Sequence, residues 1–178
     1  MIARLLLVLA AIAGIAGLVL PLGAYKSPDG KIATRSSALR IIAEQPPDPT
    51  PLAKGAQDLG LSKADADRLA HAVDQGTTAY RGVMIAVFVP AALLALLALV
   101  VLVRREMGRT AGALAIILGL LSLAAFVVLL LLVGDLDIKE TAVTLKLEAT
   151  RGAGVYCLAA AGVLAAIGGT AAVRHVEF

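Results

Sequence analysis

Four apolar runs, at residues 4–23, 83–103, 111–133 and 153–173, carry no ionisable side chain in their interiors, and they limit what this chain can fold into more than any other feature. Each is near or above the ~20 residues that cross ~30 Å of hydrocarbon as a helix. Inside a bilayer backbone donors and acceptors must be paired within their own segment, which selects helices for runs of this length. The expected fold is an all-α integral membrane protein: a four-transmembrane-helix bundle with a small helical extracytoplasmic cap and one short strand pair in the outer loops. A mean hydropathy of +0.90 over 178 residues leaves little for a separate soluble domain, so residues 1–178 read as a single membrane domain with one inserted polar segment.

Orientation follows from the tight connection Arg104-Arg105-Glu106-Met107-Gly108-Arg109, whose three arginines mark residues 104–110 as cytoplasmic. Arg4 and Arg174 fall on the same side, which places both termini in the cytoplasm and leaves residues 24–82 and 134–152 outside. Residues 174–178 form a cytoplasmic tail, where His175 beside Arg174 is expected to meet lipid headgroups. The outer segments hold more Lys and Arg in total, but the first is near the length at which the rule stops applying. Tyr25, Tyr80 and Tyr156 all sit at the outer helix ends, as one half of an aromatic belt. The first run is longer than the 7–15 apolar residues of a signal-peptide core and is expected to stay as the first spanning helix. The expected location is a bacterial inner or plasma membrane.

In the first outer segment, Ser27-Pro28-Asp29-Gly30 has strong turn chemistry. A short helix is predicted over residues 37–44, where Ala38, Leu39, Ile41 and Ile42 share a side, and Pro46, Pro47, Pro49 and Pro51 end it. Helical spacing returns after Ser62, which with Asp65 forms a capping box. Leu69, Ala70 and Val73 continue the apolar side of that helix, predicted to lie over the bundle as a compact cap. Residues 138–148 are ambiguous. Val143, Leu145 and Leu147 alternate with polar residues as in a strand, while Ile138, Ala142, Leu145 and Ala149 line up as in a helix. Val and Thr favour the strand, with Lys31-Ile32-Ala33-Thr34 as its expected partner.

Helices in lipid gain little by exchanging one hydrocarbon for another and associate through close approach, so small residues mark the seams. Cys157, Ala161, Ala165 and Gly169 form such a stripe on the fourth run, and Gly14 and Gly17 mark the first. These faces are expected to approach each other or a partner. Residues 127–132 read as facing lipid at the outer half of the third run. Pro90 should bend the second run as a passive kink. Cys157 is the single cysteine, so no disulfide or paired thiolate ligand set exists. His71, with Asp67 and Asp74 on one helix side, has ligand-type residues but no second His or Cys nearby, and a solvated face accounts for it.

The function classes narrow accordingly. Proton pumping, transport of charged solutes and intramembrane hydrolysis need polar groups at membrane depth. The runs supply mainly Ser122, Cys157 and Thr170, each able to bond to its own helix. There is no phosphate loop, nucleophile motif or haem attachment motif. The 16 basic and 13 acidic residues are mixed through the loops, which argues against nucleic acid. The expectation is a non-catalytic membrane subunit or interaction protein without cofactor or metal, in contact with membrane lipid and with other membrane subunits or copies of itself. The alternative is an oligomeric pore or carrier for an apolar or uncharged solute. The connectivity of four helices, long first outer loop, tight inner turn and shorter second outer loop is similar to that of claudin-like tetraspan proteins. Those families carry a tryptophan and paired cysteines in the first outer loop, and this chain has neither, so no residue roles transfer.

Overall fold

The structure, a computed structural model, describes residues 2–26, 32–43, 62–104, 106–132, 136–140 and 143–174, with Thr50, Lys54 and Gln57; for 24–26, 32–36, 69, 136–140 and 143–150 it describes the backbone path alone. The turn at residues 27–30, the four prolines at 46–51, Arg105 and His175 lie outside that set, as does the side chain of Leu69.

Among the described residues, four helices are long and apolar enough to cross a membrane: α1 (Ile2–Val19), the second half of a much longer helix over Lys63–Arg104, another at Arg109–Leu132 and a last at Ala153–Arg174. The elements between them are β1 (Pro21–Lys26), β2 (Ile32–Ser37) and the short α2 (Ala38–Ala43), then β3 (Leu136–Glu140) and β4 (Val143–Arg151). With α2 counted, the three later helices are α3, α4 and α5 in chain order. α1 packs against α3 and α5, and α4 packs against the same two, so the order around the bundle is α3, α1, α5, α4 and each neighbour runs antiparallel. Two apolar layers fill it. Leu22, Met84, Phe88, Leu129 and Leu158 lie toward the sheet, and Leu7, Leu94, Val101, Ala115 and Ala165 lie toward the turn at 106–108.

The largest departure from expectation is at the end of the bundle away from residues 106–108, where the four described strands form an antiparallel sheet in the order β2-β1-β4-β3. The ambiguity at 138–148 resolves to strand over residues 138–140 and 143–148. Its partners differ from the expected one: Ile32 and Thr34 pair with Lys26 and Tyr25 of β1, and β1 in turn pairs with β4. The reason is chain continuity. α1 stops at Val19 rather than reaching Gly23, because Pro21 removes a helical donor and the extended path beyond it lies beside β4, which enters the neighbouring α5. Asp137 sits opposite Lys146, and Leu136 and Ile138 sit opposite Leu147 and Leu145, so strand alternation separates charged from apolar positions along β3 and β4 as far as Lys139.

The expected separate cap helix also takes another form. α3 runs unbroken through 42 residues, about 63 Å at 1.5 Å per residue, so the segment after Ser62 projects as an extension of the second apolar helix. The Asp65 amide donates to Ser62 Oγ at 3.3 Å, and the Ser62 hydroxyl donates to Asp65 Oδ2 at 2.6 Å. Nothing between Asp74 and Val83 removes a helical donor, and Thr77 Oγ1 folds back onto the Val73 and Asp74 carbonyls at 2.8 and 2.9 Å. The short helix expected at 37–44 is present as α2, with Ala38 buried and Arg81 Nε donating to the Ile42 carbonyl at 2.8 Å, which ties it to α3. The helix continues through Pro90, which cannot donate to the Ala86 carbonyl.

Candidate functional site

The residues that decide how this molecule holds together lie on stripes spaced alternately by three and four residues. On α1 the stripe is Ala3, Leu7, Ala10, Gly14 and Gly17; on α4 it is Gly112, Ala115, Gly119 and Ser122; on α5 it is Gly154, Leu158, Ala161, Ala165, Gly168 and Ala172, and all of these are buried. Such spacing keeps one face of a slightly underwound helix against its neighbour, and small residues there let backbones meet.

The closest seam joins α4 and α5. A Cβ placed on Gly119 would stand 2.7 Å from the Gly162 carbonyl oxygen, and one on Gly162 would stand 2.8 Å from the Gly119 oxygen. Two turns further along, a Cβ on Gly112 would stand 3.0 Å from the Gly169 oxygen and one on Gly169 would stand 2.5 Å from the Gly112 oxygen. Between α1 and α5, a Cβ on Gly17 would stand 3.0 Å from the Gly154 oxygen and 3.5 Å from the Cys157 Cβ. Gly14 instead faces Ala91 of α3, whose Cβ would lie 3.1 Å from a Cβ placed there. Ala161 and Ala165 are fully buried and Cys157 is half-buried. The anticipated residues therefore lie inside one chain, on three different seams.

Sequence reasoning missed Gly112 and Gly119. The alternation of small residues at three and four along the third run is visible in the sequence, but the large residues at 127–132 draw the run toward lipid. Leu129 is in fact fully buried, whereas Val127, Val128 and Leu131 are exposed. Ser122 is fully buried with no partner for its hydroxyl, unlike Thr170, which bonds to the Ile167 carbonyl at 2.8 Å.

The outward faces have the opposite character. Between 28% and 44% of each apolar window is buried, so more than half of it faces out, carrying Leu5, Leu9, Ile12, Leu96, Leu99, Val103, Ile117, Leu120 and Leu131 in exposed positions. A continuous apolar exterior of that extent marks contact with lipid or with other chains. At the sheet end, Tyr156 and Tyr80 are exposed, and the Tyr156 ring tilts at 49° to Phe126 with centroids 6.4 Å apart.

On the projecting half of α3, Ala66 and Ala70 are buried and Val73 is half-buried. Asp67 and His71 are exposed and Asp74 is half-buried. Asp65 pairs with Arg68 at 3.8 Å, an exposed pair of little energetic weight. Among the described residues, no three His, Cys, Asp or Glu side chains converge as a metal site would require. Comparison with protein-family models, curated proteins and solved structures finds no match, so the likeness to tetraspan proteins remains one of connectivity.

Proposed function

We propose that this chain is a multi-pass integral membrane protein with both termini inside, acting as a non-catalytic subunit that joins a larger membrane assembly and presents the sheet and the projecting half of α3 as its outer face. The observation that carries the reading is the division between seams and exterior. The small residues are consumed within one chain, and the outward faces keep large apolar side chains that need hydrocarbon or protein around them. Charge-free apolar windows support a structural rather than a proton- or ion-handling role. Docking falls to the large-residue flanks and the outer face, since Ala161, Ala165 and Gly169 are enclosed. The same enclosure takes away the lining that a pore built around the small faces would use.

Extraction in mild detergent, followed by particle mass and identification of co-purifying chains, tests the role. A complex of fixed ratio is expected, and a homogeneous particle of this chain alone would sink it. Orientation has its own test in a Cys157→Ala background, which keeps the Cβ that touches Gly17. With single cysteines at the exposed positions Ala64 and Gly108, an impermeant thiol reagent added to intact cells should label Ala64→Cys and leave Gly108→Cys unmodified until the membrane is opened. The reverse pattern would invert the topology.

A further inference from the structure

On the flank where α1 meets α3, Gly14, Ile15, Leu18, Phe88, Ala91 and Ala92 line an open apolar crevice of about 90 Å³. That is room for about three water-sized groups, enough for the end of a hydrocarbon chain and too small for a headgroup. The face of α1 that lines the crevice leads back to the start of the helix. At 100° per residue, Arg4, Val8, Ala11, Ile15 and Leu18 fall on one face of α1. Arg4 stands ten residues before Gly14, about 15 Å along the axis, which is half of a ~30 Å hydrocarbon core.

Two arginines stand at the start of that face. Arg4 is half-buried and Arg104, at the end of α3, is exposed, and neither has an ion-pair or hydrogen-bond partner among the described residues. Arg109 and Arg174 lie at the same end of the bundle, against Glu106 as the acid described there. Positive charge at the polar boundary, where Arg4 and Arg104 have no partner among the described residues, with an apolar slot one half-bilayer deeper on the same helix face, has the polarity of an anionic phospholipid.

We infer that the α1–α3 flank binds one anionic phospholipid, its phosphate between Arg4 and Arg104 and one acyl chain laid past Val8 and Ile15 into the crevice at Gly14 and Ala91. This rests on the membrane reading above. The lipid fills the flank that the close approach of Gly14 to Ala91 leaves open, and it gives Arg4 and Arg104 a partner that they lack among the described residues.

The test uses the full chain in mild detergent with equal amounts of phosphatidylglycerol and phosphatidylcholine, counting retained lipids by native mass spectrometry. One phosphatidylglycerol is expected in about thirtyfold excess over phosphatidylcholine, the preference two basic residues near a headgroup supply. Arg4→Gln should cut the preference to about fivefold and Arg4→Gln with Arg104→Gln should remove it, while Ala92→Phe, which fills the slot from an exposed position, should reduce retention of both lipids. Ala92→Leu serves as a smaller filler if the phenylalanine variant loses the thermal transition of the parent. Equal retention of the two lipids by the parent, or unchanged binding in both the arginine and the filler variants, would overturn the site. Release of the chain from membranes by alkaline carbonate would instead sink the membrane reading itself, so the two failures are distinguishable.

Discussion

Replacing Gly119 by leucine is expected to prevent α4 and α5 from packing and to leave almost no protein that survives extraction as a folded particle. The obstruction is main chain on both sides: the new Cβ would lie 2.7 Å from the Gly162 oxygen and 2.9 Å from the Ala166 nitrogen. A flexible side chain can rotate away from such a contact, but a backbone carbonyl inside a helix moves only if the whole axis moves. Moving that axis would also open the contacts of Gly112 with Gly169, because the two pairs lie on one seam. Even the single methyl of Gly119→Ala is an overpacking change, worth about 1–3 kcal/mol of destabilisation. Gly76 provides the contrast, since it lies in α3 with nothing within 4 Å of a built Cβ. Gly76→Ala should gain about 0.5–1 kcal/mol from helix propensity alone. Thermal unfolding in detergent reads both, and a Gly119→Leu protein melting with the parent would refute the seam.

The contrast between those two glycines also shows what a sequence of this kind gives away. Apolar windows and their lengths are local properties, and the third and fourth helices end within two residues of expectation, at Arg109–Leu132 and Ala153–Arg174. The capping role of Ser62 and Asp65 is local too, and the structure places it at the start of α3. Which small face meets which partner is a property of the bundle. Gly14 and Gly17 sit less than a turn apart, yet one touches α3 and the other α5.

β1 is hard to see for a different reason. Pro-Leu-Gly-Ala-Tyr-Lys begins as the tail of an apolar run and contains two poor strand residues, so nothing in its own composition favours a strand. It becomes one because β4, more than a hundred residues later, passes alongside it. The length of α3 escapes the sequence in the reverse way: a polar stretch reads as a break, although a helix needs only its donors and needs no apolar residue to continue.

The junction where both central strands become helices should be the second point of failure. Gly152 separates β4 from α5, its amide donates to the Leu22 carbonyl at 2.8 Å, and a Cβ there would overlap the Pro21 carbonyl group. Two residues on, a Cβ at Gly154 would meet the Leu20 oxygen at 2.7 Å and the Gly17 oxygen at 2.9 Å. At this level α1 turns into β1 beside β4 turning into α5, so the two crossings can be adjacent only while one side lacks a side chain. Gly152→Val should push them apart and cost at least ~2 kcal/mol, roughly thirtyfold in local exchange protection. The loss should fall first on the pairs Gly23 with Arg151, Ala24 with Thr150, Tyr25 with Ala149 and Lys26 with Glu148. Hydrogen exchange followed by peptide mass analysis would show faster exchange in β1 and β4, with protection kept along Gly112 to Gly119 in α4. Equal loss in α4 would mean that sheet and bundle open as one unit, and unchanged exchange in β1 would mean that the strand register at the junction is wrong.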